Sequence, residues 1–191
     1  WVIAALAINN NTSRSLSAVT IGGVAATLLY AAPTLSADGV RFEFWKANVP
    51  TGTTADVDAT ANTGFFWDGG CATYYCTGEP TFHAGQHDDT YTGNTFSVAI
   101  NVPANGAVIA SASNDGAGTL SGWVGAAADS TDNTEQVYYA SADELGAETG
   151  RTVSFTTTAA SSSTDFYGLG VVSVAVPAGS SDQSLSTTRF V

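Results

Sequence analysis

Hydrophobic positions along this chain come in short bursts, cut apart by Gly, Pro, Asn, Ser and Thr. In residues 40–46 the apolar Val40, Phe42 and Phe44 alternate with Arg41, Glu43 and Trp45, the period-two signature of a strand with two unlike faces. The same reading predicts strands over residues 1–8, 16–21, 24–30, 56–60, 95–102, 107–113, 120–124, 136–141, 152–158 and 168–176. Gly22-Gly23 between two of them is a two-residue hairpin signal. Val49-Pro50, Val102-Pro103 and Val176-Pro177 are each followed closely by Gly. Pro lacks the amide a central ladder needs, so these read as strand terminators rather than as a sequence repeat. Residues 141–150, with Asp143, Glu144 and Glu148, read as one short helix.

This rhythm predicts an all-β protein: a single antiparallel β-sandwich, jelly-roll-like, of roughly ten strands. It would cover residues 1–191 as one domain. Residues 61–94 are expected to form an irregular excursion, and residues 178–191 a polar C-terminal arm suited to docking on a neighbour. The opening WVIAALAINN is short and has no basic stretch before it, so it reads as a first strand and not as a signal peptide. No run approaches the roughly 20 apolar residues of a membrane-spanning helix.

Composition changes the picture in one respect. Seventeen acidic residues against five basic ones give a formal net charge of -12, which repels phosphate backbones and anionic bilayers. Neither nucleic acid nor a membrane is therefore an expected partner. Only 12% of residues are charged, so much of the surface must be neutral Ser, Thr, Asn and Gly, as suits an exposed assembly.

Candidate chemistry is sparse. Cys71 and Cys76 are the two cysteines, and their four-residue gap differs from redox and zinc-ribbon spacing. A disulfide closing a small loop is the first reading; free thiols and a metal site with His83 and His87 are the others. His83, His87 and Asp88 form a weak divalent-metal candidate, since Gly85 interrupts any helix that would align the two imidazoles. Asp56 with Asp58, Asn114-Asp115-Gly116, and the run from Asp129 to Asn133 read as turns or weak calcium candidates without an EF-hand pattern. Asn10-Asn11-Thr12-Ser13 holds overlapping glycosylation sequons. Trp67, Tyr74 and Tyr75 are candidate contacts for a glycan or a protein partner; Trp45, Trp123, Tyr138 and Tyr139 are expected in the core or an interface. No nucleophile elbow, Walker loop or zinc-protease motif occurs, so the chain is expected to be non-enzymatic and to need no cofactor.

Residues 18–27 (AVTIGGVAAT), residues 96–110 (FSVAINVPANGAVIA) and residues 171–176 resemble small β-sandwich proteins of tailed phages and prophages. Those are virion structural proteins, associated with heads or tails. The resemblance implies a capsid decoration, fibre or tail-associated subunit that contacts identical subunits and other virion proteins, located in the virion. It supplies no catalytic residues. Two other readings remain at this stage: a carbohydrate-binding, lectin-like module on a virion or cell surface, and a prokaryotic surface-layer or filament subunit.

Overall fold

A computed structural model describes residues 1–9, 15–33, 40–49, 56–62, 68–89, 93–114, 119–132, 137–158, 167–177 and 185–188. Among them are sixteen strands and no helix: β1 (Val2–Asn9), β2 (Leu16–Ile21), β3 (Val24–Ala25), β4 (Thr27–Ala31), β5 (Val40–Ala47), β6 (Val57–Ala61), β7 (Asp68–Tyr75), β8 (Thr81–Asp88), β9 (Thr95–Val102), β10 (Gly106–Asn114), β11 (Leu120–Val124), β12 (Ala127–Asp132), β13 (Val137–Leu145), β14 (Glu148–Thr157), β15 (Tyr167–Ala175) and β16 (Leu185–Thr188). The all-β expectation is met. The expected helix at 141–150 is instead the end of β13, a two-residue connection at Gly146-Ala147, and the start of β14. The stretch 61–94 is no irregular excursion over its described part, because it supplies β7 and β8. Of the expected arm at 178–191, the described residues are β16, which pairs with β7.

All pairings are antiparallel, in four sheets ordered β3-β2-β6, β16-β7-β1-β5-β4, β12-β13-β10-β15-β8 and β11-β14-β9. Three apolar clusters show how these sheets stack. Ala4, Leu6, Ile8 and Trp45 of the second sheet meet Leu16, Val19, Ile21 and Val57 of the first. The opposite face of the second sheet, with Ile3, Ala5, Phe42, Phe44 and Tyr74, meets Ile109, Tyr139, Val172 and Val174 of the third. The far face of the third, with Val108, Ala110, Tyr138 and Val171, meets Phe96, Val98, Ile100, Val153 and Phe155 of the fourth. The sheets are therefore four layers, numbered here 1 to 4 in that order, with three cores between them. β1 to β7 build layers 1 and 2, and β8 to β15 build layers 3 and 4.

A single sandwich of about ten strands is thus too simple. Two sandwiches lie back to back, and a middle core joins them. The reason is visible in β1, β10 and β15, whose residues are buried on both faces. Such strands carry continuous small and apolar runs, as in the AVIASAS of β10, because each face packs against another layer. β9, in an outer layer, alternates strictly between buried and exposed positions. Close packing between layers 2 and 3 also explains Gly170, where a Cβ would lie 2.4 Å from the Phe42 side chain. Turn chemistry follows expectation at two hairpins. Gly22 and Gly23 take positive φ between β2 and β3, and Asn105 (φ 53°) follows Pro103 between β9 and β10.

Candidate interaction surface

The alternating face of β5 becomes the key to the outer N-terminal core. Arg41, Glu43 and Trp45 all point toward layer 1, and Glu43 is 1% exposed. Its carboxylate accepts hydrogen bonds from the Arg41 guanidinium, from Trp45 Nε1 (2.9 Å) and from the Leu16 amide (3.2 Å). A buried charge is tolerated only when it is paired and hydrogen-bonded, and here the pairing also pins β2 onto β5.

The two cysteines do not face each other. Cys71 lies in the outer N-terminal core and Cys76 in the middle core, on opposite sides of layer 2. They stand five positions apart along extended backbone, and an odd offset reverses the side-chain direction. Both are free thiols, which overturns the disulfide expectation. Burial pushes the Cys71 thiol up to about 12 and the Cys76 thiol up to about 11, the latter against the lowering effect of the nearby N-terminal ammonium. Neither is a metal-ready thiolate.

His83, His87 and Asp88 all lie on β8, yet they do not converge. His83 is exposed at a bulge opposite Ser173 and Val174. His87 Nδ1 sits 3.2 Å from the Tyr30 hydroxyl, and Asp88 Oδ2 accepts from the Ser97 amide at 2.7 Å. No group of three His, Cys, Asp or Glu residues able to hold a metal occurs among the described residues. Asp58 accepts from the Thr20 hydroxyl, and Asn114 is buried at the end of β10 with its amide donating to Thr157 Oγ1. Asp56 is exposed just before β6. Asp129 and Asp132 belong to β12 rather than to a turn. Asp115, Gly116, Asn133 and the sequons at residues 10–13 lie outside the described residues.

Of the aromatic contact candidates, Trp67 lies outside the described residues. Tyr74 is 1% exposed in the middle core and donates to Asp129 Oδ2 at 3.2 Å, so it cannot stack on a ligand. Tyr75, by contrast, is 42% exposed. Trp45, Tyr138 and Tyr139 are buried, and Trp123 packs on Phe155.

What faces outward had to be found from the tertiary structure. Leu28, Phe82 and Val124 are exposed large apolar residues, with Val124 at 61%. Phe82 stacks on Tyr30 (6.4 Å between centroids), which stacks in turn on Phe44. The Tyr30 ring rests on Gly85, where a Cβ would lie 2.3 Å from it. Layer 4 turns Thr95, Ser97, Ala99, Thr152, Ser121 and Val124 outward, and the Thr95 and Thr156 hydroxyls meet at 3.0 Å on that face. Among the described residues, the basic side chains are spent close to home: Arg41 on Glu43, Lys46 on Glu79, and Arg151 on Glu148.

These features define an all-β, four-layer antiparallel protein with an uncharged outward face on layer 4 and a few exposed apolar side chains. Compared with known proteins, the chain matches no family model, no curated protein and no solved structure.

Proposed function

We propose that this chain is a non-enzymatic structural subunit of a tailed-phage particle, associated with its head or tail and acting through protein–protein contacts. The observation that carries the reading is the outward face of layer 4. In a chain with net charge -12, the exposed side chains of β9, β11 and β14 along that face are hydroxyl, amide or small apolar groups, ending at Val124. Depletion of charge over an outward sheet face is what the centre of a protein contact requires, because burying a carboxylate without a partner is costly.

Topology supports the same reading. The order β8-β15-β10-β13 opposite β9-β14-β11 follows the nesting of a jelly roll, with β12 bonded to β13 instead of β11. Jelly rolls build capsid and lectin domains, so the architecture favours a surface role without selecting one. The phage setting rests on the resemblance of residues 18–27, 96–110 and 171–176 to phage β-sandwich proteins.

The test is direct. Antibody against the chain, applied to purified particles and imaged by electron microscopy, should label a defined position on head or tail. Particles that lack the chain altogether would remove this function.

A further inference from the structure

Where β7 of layer 2 meets β12 and β13 of layer 3, the join between the two sandwiches carries a polar seam. Two tyrosines cross it in opposite directions. Tyr74 of β7 reaches over to β12 and donates to Asp129 Oδ2 at 3.2 Å. Tyr139 of β13 reaches back to β7, where a Cβ on Gly70 would lie 2.7 Å from its hydroxyl. Asp129 enters the seam because β12 is bulged between Ala128 and Ser130, and the half-buried carboxylate at the bulge meets Tyr74.

The carboxylate has hydroxyl donors there and no described counter-charge. Ser141 of β13 is its second donor, and Asp143 on the same strand adds a charge of the same sign. Arg41, Lys46 and Arg151 are bonded to Glu43, Glu79 and Glu148, while His83 and His87 lie on β8 at the opposite edge of layer 3. Tyr74 stays a neutral donor: burial first, then Asp129 and Tyr139 and lastly Cys71, hold its hydroxyl well above the ordinary tyrosine value. A carboxylate drawn from water between two layers without a cation costs free energy that a neutral carboxyl does not.

We infer that this seam is an acid-tightened join: with Asp129 neutral, β12 closes on β7, and with Asp129 ionised, the β12 edge loosens and admits water. β12 is the element that yields. It is the edge of layer 3, paired only with β13 and interrupted by its bulge, whereas β7 is held by β1 on one side and β16 on the other. Burial raises the Asp129 carboxyl, the Ser141 and Tyr74 hydrogen bonds lower it, and Asp143 raises it again. The closed seam therefore binds the proton more tightly than the open one, and rising pH shifts the balance toward opening.

Hydrogen–deuterium exchange of the full chain, read by mass spectrometry from about pH 4.5 to about pH 8 and corrected for the intrinsic exchange rate, tests this locally. Protection of the β12 amides should fall as pH rises, by up to about tenfold for each pH unit that separates the closed-seam and open-seam titrations of Asp129. Amides of β14, on the far layer, should not follow. Asp129→Asn should hold the acid level of protection at every pH, and Asp143→Asn should shrink the fall. β12 protection that is independent of pH would overturn the inference, as would a fall of equal size in Asp129→Asn.

Discussion

The two outer cores close the same kind of gap, a three-stranded sheet over a five-stranded one, with different chemistry. Between layers 1 and 2 an apolar cluster contains a buried ionic network, with Glu43 held by Arg41, Trp45 and the Leu16 amide. Between layers 3 and 4 it is aromatic. Phe155 stacks on Phe96 at 5.0 Å and touches Trp123 and Tyr138, while Tyr167 adds to Phe96. The aromatic core derives its stability from area removed from water and from ring packing. The ionic core contributes less net stability, because desolvation offsets the attraction, but it selects one register of β2 on β5. The C-terminal sandwich should therefore be the robust half, and the N-terminal one the half that opens first.

The largest effect should come from Phe155→Ala, which removes the ring at the centre of the aromatic core. A loss of about 3–5 kcal/mol is expected in denaturant unfolding. A loss under about 1 kcal/mol would mean that the aromatic core is not what holds layer 4. Glu43→Gln keeps a hydrogen-bonding group near Trp45 but removes the charge paired with Arg41, at a cost of about 2–3 kcal/mol. Because Cys71 lies in the ionic core, its labelling by a thiol reagent should accelerate in Glu43→Gln more than in Phe155→Ala. Equal acceleration in both would argue against independent opening of the two cores.

A smaller effect is expected at the join between the sandwiches. Burial raises the Asp129 carboxyl above its ordinary value; hydrogen bonds from Ser141 and Tyr74 lower it, and Asp143 raises it further. A carboxyl with a raised folded value binds its proton more readily in the fold than in the open chain. Stability therefore falls as pH rises from the ordinary carboxylate range through the folded value, and levels off above it. Asp129→Asn keeps an oxygen acceptor for Tyr74 and lacks this penalty. Its melting temperature should match wild type in acid and exceed it at neutral pH, and a difference independent of pH would contradict the assignment. The smallest change concerns the thiols: native protein should react slowly with an aromatic disulfide reagent and release two equivalents once unfolded. A chain with none after unfolding would contain the disulfide that the strand geometry rejects.

Much of the outer structure was legible beforehand, because exposed layers alternate. β9 and the two-faced pattern of β5 could be read residue by residue, as could the hairpin at Gly22-Gly23 and the stops at Pro103 and Pro177. β7 and β8 were not legible. Their Gly, Thr and His content looks like loop, and only pairing with β1 and β15 makes them strands. The helix expected at 141–150 failed for a related reason: Ala and Glu favour helix locally, but β10 and β9 offer the partners that make β13 and β14.

Composition, turn residues and period-two alternation determined by themselves that this chain is all-β, strongly acidic and built from short antiparallel strands. The stacking of four layers was decided only by tertiary packing. Whether the second face of β1, β10 or β15 meets water or another sheet depends on residues far away in the chain. The same long-range packing set Cys71 and Cys76 in different cores, buried Tyr74 and left Leu28 and Phe82 at an edge. Side-chain direction along a strand is local, but what stands opposite it is not.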